Sequence, residues 1–142
     1  MQITRQSEYA IRTMLELAQR PSGEIVSSKV ISENQDIPED FLKKTIQLLA
    51  VNQLVTTHRG THGGVRLARP IDKITIADII VAIEGPFAIN PCLNPGYDCK
   101  NLLTCPVHRT LARAQSKFVE ELSRQTLADL IDEYHKLKAN KN

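Results

Sequence analysis

The sequence predicts a mainly α-helical protein: a winged helix-turn-helix with a small β-hairpin wing, extended by a long C-terminal dimerisation helix. Three observations carry that fold class. Apolar residues recur at three- and four-residue intervals along most of the chain, which is the helical period. Two short helical segments meet at a tight turn near Gln35-Asp36. The β-rich residues fall in one stretch, residues 54–68, interrupted by glycines, and that is the pattern of a hairpin.

The elements follow in order. Over residues 4–19, Ala10, Ile11, Met14, Leu15, Leu17 and Ala18 form an apolar stripe with Thr4 placed to cap it, and Arg20-Pro21-Ser22-Gly23 ends the helix. Glu8 and Arg12 lie one turn apart on it, at the spacing of an ion pair. Ser27 or Ser28 caps a short helix carrying Val30 and Ile31. Pro38 opens the next helix from its first turn, with Glu39 and Asp40 at the positive end of its dipole. Phe41, Leu42, Ile46 and Leu49 are its expected buried stripe, and Lys43, Lys44 and Gln47 face away.

A helix pair whose second member has a lysine-bearing outer face is the arrangement that enters a DNA major groove. The hairpin that follows is then a wing. Its tip, Arg59-Gly60-Thr61-His62-Gly63-Gly64, places Arg59 where a narrow minor groove attracts guanidinium, and Thr61, His62 and the backbone at Gly63 and Gly64 near phosphates. Glu39 and Asp40 repel phosphates unless one accepts from a cytosine amino group. The expected DNA-facing set is therefore Glu39, Asp40, Lys43, Lys44, Gln47, Arg59, Thr61, His62, Gly63 and Gly64.

Beyond Pro70, Thr75 and Asp78 form a capping box for a helix bearing Ile76, Ile79, Ile80 and Ile83, stopped by Gly85-Pro86. Pro106 starts a long helix with Leu111, Ala114, Phe118 and Leu122 on one stripe. It breaks near residues 123–126, and Thr126 and Asp129 cap a last helix with Leu127, Leu130, Ile131 and Tyr134, its end at residues 136–142 frayed. Residues 1–70 thus read as the DNA-binding unit and residues 71–142 as a loop, about 86–108, with dimerisation helices. A long amphipathic helix on so small a unit is best buried by a second copy, giving a homodimer on a two-fold site.

All three cysteines lie in the loop between those helices, spaced Cys92-x6-Cys99-x5-Cys105, with His108 after two more residues. Thiolates and imidazole on an aperiodic segment are soft ligands able to converge on Zn or an iron-sulfur cluster. An odd cysteine count and the absence of a secretory signal favour reduced thiols in the cytoplasm over disulfides.

Composition narrows the function classes further. Net charge is only +2, so nucleic-acid binding must rest on local pattern and not on overall basicity. There is no Trp and aromatic content is 4%, which disfavours a base-stacking single-strand binder. No apolar run reaches the roughly 18 residues of a membrane span. Neither a nucleophile-base constellation nor a phosphate loop is present, so the chain is not expected to be an enzyme.

Ser7-Glu8-Tyr9-Ala10-Ile11-Arg12, the turn across residues 31–37, Arg59-Gly60-Thr61-His62-Gly63-Gly64, Ile83-Glu84-Gly85 and the three cysteines together resemble the Rrf-two family of winged-helix transcription regulators. The likeness covers essentially the whole chain and is strongest to its IscR-like members, with NsrR and RirA also similar. It implies a homodimeric repressor or activator of double-stranded promoter DNA. The implied signal is iron, redox state or nitric oxide, and the implied targets are iron-sulfur biogenesis or stress genes.

The resemblance places the cluster ligands at Cys92, Cys99 and Cys105, with His108 fourth as in IscR-like members or Glu8 from the partner's first helix as in NsrR-like members. His108 lies on the same segment and suits a 2Fe-2S centre; a 4Fe-4S centre or a structural Cys3His zinc site without redox switching is the alternative. Two departures from the IscR pattern stand out. The first cysteine gap is six residues rather than five, so the loop bulges differently, and Lys43 and Lys44 replace a glutamate and a glutamine, so the operator of IscR-like members does not carry over to this chain.

Overall fold

The computed structural model describes residues 2–141, in six α-helices and one two-stranded antiparallel sheet. Helix α1 (Arg5–Ala18) starts where Thr4 accepts a hydrogen bond from the Ser7 amide, and it buries Ala10, Met14, Leu17 and Ala18. Helix α2 (Ser28–Gln35) is capped by Ser27, whose hydroxyl accepts from the Val30 amide. It ends at Asp36, a non-glycine residue in the left-handed region (φ 52°), which lets the Ile37 amide reach back to the Ser32 carbonyl.

Helix α3 (Glu39–Val51) differs from expectation in two respects. Pro38 occupies the N-cap position rather than the first helical residue, and it offers no side-chain cap. Phe41 is not part of the buried stripe: it is 53% exposed, its ring edge-on to Tyr9 with centroids 6.1 Å apart. The inward face is set by Leu42, Thr45, Ile46 and Leu49, and Phe41 sits 100° away from Leu42 on the helical wheel. Thr45 can take the inner position because its hydroxyl donates to the Phe41 carbonyl at 2.8 Å.

Strands β1 (Val55–His58) and β2 (Gly64–Leu67) pair antiparallel, with Val55 opposite Leu67 and His58 opposite Gly64. Val26, just before α2, adds a bridge to Val65 through main-chain bonds of 2.9 and 2.8 Å, so the wing is sewn to the helix pair. That close approach dictates glycine at 64, where a Cβ would lie 2.2 Å from the Val26 carbonyl oxygen.

Helix α4 (Ile76–Glu84) opens with the complete Thr75/Asp78 capping box. Its fully buried residues are Ala77, Ile79, Ile80 and Ala82; Ile76 and Ile83 are only half-buried, at the margins of the packed face. Helix α5 (Pro106–Arg124) has no buried residue at all. Helix α6 (Leu127–Lys141) turns back onto α1 and sinks Leu127 and Ile131 into the interior. The Leu127 amide donates to the Ile74 carbonyl and the Ile76 amide to the Gln125 carbonyl, clamping the start of α6 to the start of α4. Against the fraying expected over residues 136–142, α6 is helical through Lys141, with Lys138 over the Tyr134 ring one turn earlier; residue 142 lies outside the described residues.

One apolar interior results, shared by residues on both sides of position 70, from Met14, Ile31 and Leu49 to Ile79 and Leu127. Glu16 is a charged group at its edge, accepting from Arg20, Asn34 and Gln35 at 2.8, 2.9 and 2.7 Å. Burial pushes its carboxyl up, but those three donors outweigh burial and hold it below the ordinary carboxylate range.

Candidate nucleic-acid interface and cysteine-histidine loop

The outer face of α3 presents Glu39, Asp40, Lys43, Lys44 and Gln47 to solvent. A cleft of about 650 Å³ separates it from the wing. Lys43, Gln47, Glu39 and Asp40 line one wall and Arg59, Gly63 and Gly64 the other. Lys44 and the exposed tip residues Thr61 and His62 lie outside the cleft, on the surfaces flanking it. The Gly63 amide donates to the Gly60 carbonyl at 2.9 Å, so it is committed to the turn.

Several lining residues are not in the DNA-facing set expected from the sequence, among them Ser28, Thr57, His58 and the cation Lys29. Lys29, the second residue of α2, enters the same cleft, so three cations face two carboxylates there. A basic residue in the first turn of the positioning helix was the available signal.

Glu8 pairs with Arg12 at 3.1 Å and is half-exposed. Arg12 also donates to the Gln35 carbonyl at 2.6 Å and lies over the Tyr9 ring, tying α1 to the end of α2. Glu8 is thus the outer member of a structural group within its own protomer.

The cysteine loop begins at Gly85, whose positive φ of 80° turns the chain out of α4. The run that follows lies against α5 at three points. Phe87 meets Phe118 edge-on at 5.9 Å, the Ile89 amide donates to Gln115 Oε1 at 2.8 Å, and Cys92 Sγ lies 3.3 Å from His108 Nδ1. Asn90 Nδ2 donates to the same sulfur at 3.1 Å. Cys105 is the N-cap of α5, its Sγ accepting from the His108 amide at 3.4 Å, and Pro106 supplies the first helical turn.

All three cysteines are free; Cys92 and Cys105 are half-buried and Cys99 is exposed. Cys92, Cys105 and His108 are therefore linked by direct contacts, whereas Cys99 stands apart on the segment turned by Gly96 (φ 77°). Among the described residues, no three His, Cys, Asp or Glu side chains converge as a ready-made metal group. The donor chemistry is that of a soft metal centre: two thiols and an imidazole at the start of α5, and a third thiol exposed on the same loop.

The sequence model of the Rrf2 family, described as "Iron-dependent Transcriptional regulator", matches residues 3–133. Among curated proteins, protein aau3 of Rhizobium meliloti (strain 1021) is 36% identical over 133 residues, covering 92% of this chain and 85% of that one. A Mycobacterium tuberculosis (strain ATCC 25618 / H37Rv) protein named as an HTH-type transcriptional regulator is 35% identical over the same length, covering 92% and 81%. Among solved structures, T. potens IscR superposes with a TM-score of 0.75 at 28% identity, covering 94% of this chain and 88% of that one. CymR, the global cysteine regulator of B. subtilis, gives 0.72 at 27% identity over 94% and 98%. The winged helix, the cleft between α3 and the wing and these matches lead to one conclusion: the chain belongs to the Rrf2 family and is a DNA-binding transcriptional regulator, not an enzyme.

Proposed function

We propose that this regulator senses iron, redox state or nitric oxide through an iron-sulfur cluster, of the 2Fe-2S type, ligated by Cys92, Cys99, Cys105 and His108. It does so as a cytoplasmic homodimer on double-stranded promoter DNA. The observation that carries the reading is the 3.3 Å approach of His108 Nδ1 to Cys92 Sγ, which joins residues sixteen apart at the point where the loop meets α5. The family's description as iron-dependent and the likeness to IscR point the same way. Glu8, engaged by Arg12, is the weaker candidate for fourth ligand.

A bound cluster would supply a redox-active centre that is also sensitive to iron supply. The chain's own residues supply the coupling. Cys92 belongs to the run that leaves α4, while Cys105 and His108 open α5, so a shared ligand set fixes the angle between those helices. The Leu111, Ala114, Phe118 and Leu122 stripe of α5, with no residue fully buried within the protomer, is the face a second copy would cover. Residues 1–70 then read DNA, residues 71–142 hold the loop and the two-fold contact, and among the described residues no helix is long and apolar enough to cross a membrane.

Loss of the ligand set changes DNA affinity only by the difference in free energy between the two arrangements of the dimer. Titrating an operator fragment with cluster-loaded and cluster-free protein at one salt concentration tests this; affinities differing by about 5- to 150-fold are expected. Equal affinity at every operator would contradict the sensing role. A colourless zinc-loaded protein with full DNA binding would instead identify a structural Cys3His site.

A further inference from the structure

The residues between Gly85 and Cys92 do more than connect two helices. Phe87, Ile89 and Cys92 contact Phe118, Gln115 and His108 in turn, so the run lies antiparallel along α5. The lengths agree. Phe87 to Cys92, which ends in the 3-10 turn Pro91–Leu93, can span at most about 17 Å, and the ten helical residues from His108 to Phe118 cover about 15 Å. Asn90 itself is extended, with φ −147° and ψ 149°. Gln115 holds the amide of the preceding residue, Ile89, and the Asn90 side chain places Nδ2 3.1 Å from Cys92 Sγ.

We propose that Asn90 is a positioning residue that tunes the reduction potential of the metal centre by donating a hydrogen bond to Cys92 Sγ. The proposal rests on the ligand set given under Proposed function. A thiolate ligand carries more negative charge when its centre is reduced, and an N–H donor favours the more negative state. Asn90 fits that role because it can donate without competing as a ligand. Its amide is neutral, it is half-buried, and the residue before it is tied to α5. The orienting partner is part of the loop itself, so it remains beside Cys92 however Cys99 closes the set.

The test uses full-length protein reconstituted anaerobically: wild type, Asn90→Ala and Asn90→Ser. Reduction potentials are read by spectroelectrochemical titration of the visible bands. Asn90→Ala is expected at a more negative potential than wild type, with Asn90→Ser, which keeps a shorter donor, between them. Should Asn90→Ala fail to assemble a centre, Asn90→Ser decides alone: a more negative potential supports the role and an unchanged one overturns it. Identical potentials in all three proteins overturn it and leave the cluster reading intact. Failure of both variants to assemble a centre also overturns it, since Asn90 would then serve assembly and not tuning. A wild type with no visible centre would remove the cluster reading and this inference together.

Discussion

His108 Nδ1 stands 3.3 Å from Cys92 Sγ, and the same histidine's amide donates to Cys105 Sγ at 3.4 Å. One residue in the first turn of α5 therefore touches two of the three thiols, one through its ring and one through its backbone. Its ring contact is the part a substitution can remove without disturbing the helix start.

On the DNA side, Arg59 and Lys43 face each other across the cleft between α3 and the wing. Arg59→Ala is expected to weaken operator binding by about 1–3 kcal/mol and to relax specificity at the contacted position. Lys43→Ala and Lys29→Ala, if they remove phosphate contacts, should weaken binding to all sequences and each lower the slope of log affinity against log salt by about 1. Fluorescence anisotropy over a salt series separates the two kinds of effect. A salt slope unchanged in both lysine variants would place the phosphates elsewhere.

The wing depends on Gly64 for space. Gly64→Ala puts a Cβ against the Val26 carbonyl and should cost about 1–3 kcal/mol in urea denaturation while disrupting the Val26–Val65 bridge. Gly60→Ala meets no atom within 4 Å; its cost comes only from φ +107° and should be about 1 kcal/mol. Gly64→Ala should cost more than Gly60→Ala, and a loss for Gly64→Ala no greater than that for Gly60→Ala would argue against the close approach.

Glu16 makes a prediction about acid stability. Its folded carboxyl titrates below the ordinary range, so the stabilisation it gives is present above the unfolded value, near 4.5, and is lost as pH falls through the folded value. Glu16→Ala leaves Asn34 and Gln35 without their acceptor and Arg20 with only Glu24 at 3.6 Å, and should cost about 1–3 kcal/mol at neutral pH. The difference in stability between wild type and Glu16→Gln should shrink below pH 4.5. A constant difference from pH 7 to pH 3 would contradict the assignment.

Ala114 lies on the exposed side of α5, so Ala114→Glu should leave the protomer folded. In the proposed homodimer the added charge falls in the two-fold contact, so it should convert dimer to monomer in light scattering and reduce operator affinity, because two half-sites are then no longer held together. An unchanged dimer would move the interface off this face.

Much of the fold was legible because its signals are local. The Thr4, Ser27, Thr75 and Thr126 caps act over three residues, and each forms as the sequence pattern implies. What a stripe packs against is not local. Phe41 reads as a core residue on period alone, yet the orientation of α3 spends that inner position on Thr45 and leaves Phe41 beside Tyr9. Likewise the last helix reads as a short capped segment, whereas its docking on α1 and the main-chain clamp at Ile74 decide its place. In the site, Cys92, Cys105 and His108 are brought together by the turn into α5, which Pro106 announces. Cys99 sits on a segment of turns held by few contacts, and no periodicity could say where it lies. Lys29 was passed over because its contribution arises only when the wing closes beside α2.

The most direct measurement is the visible absorption and electron spin resonance of anaerobically prepared wild type, His108→Ala and Glu8→Ala. Ligation by Cys92, Cys99, Cys105 and His108 predicts visible iron-sulfur bands in the wild type, an altered or lost spectrum in His108→Ala, and a wild-type spectrum in Glu8→Ala. A His108→Ala spectrum indistinguishable from wild type would contradict it.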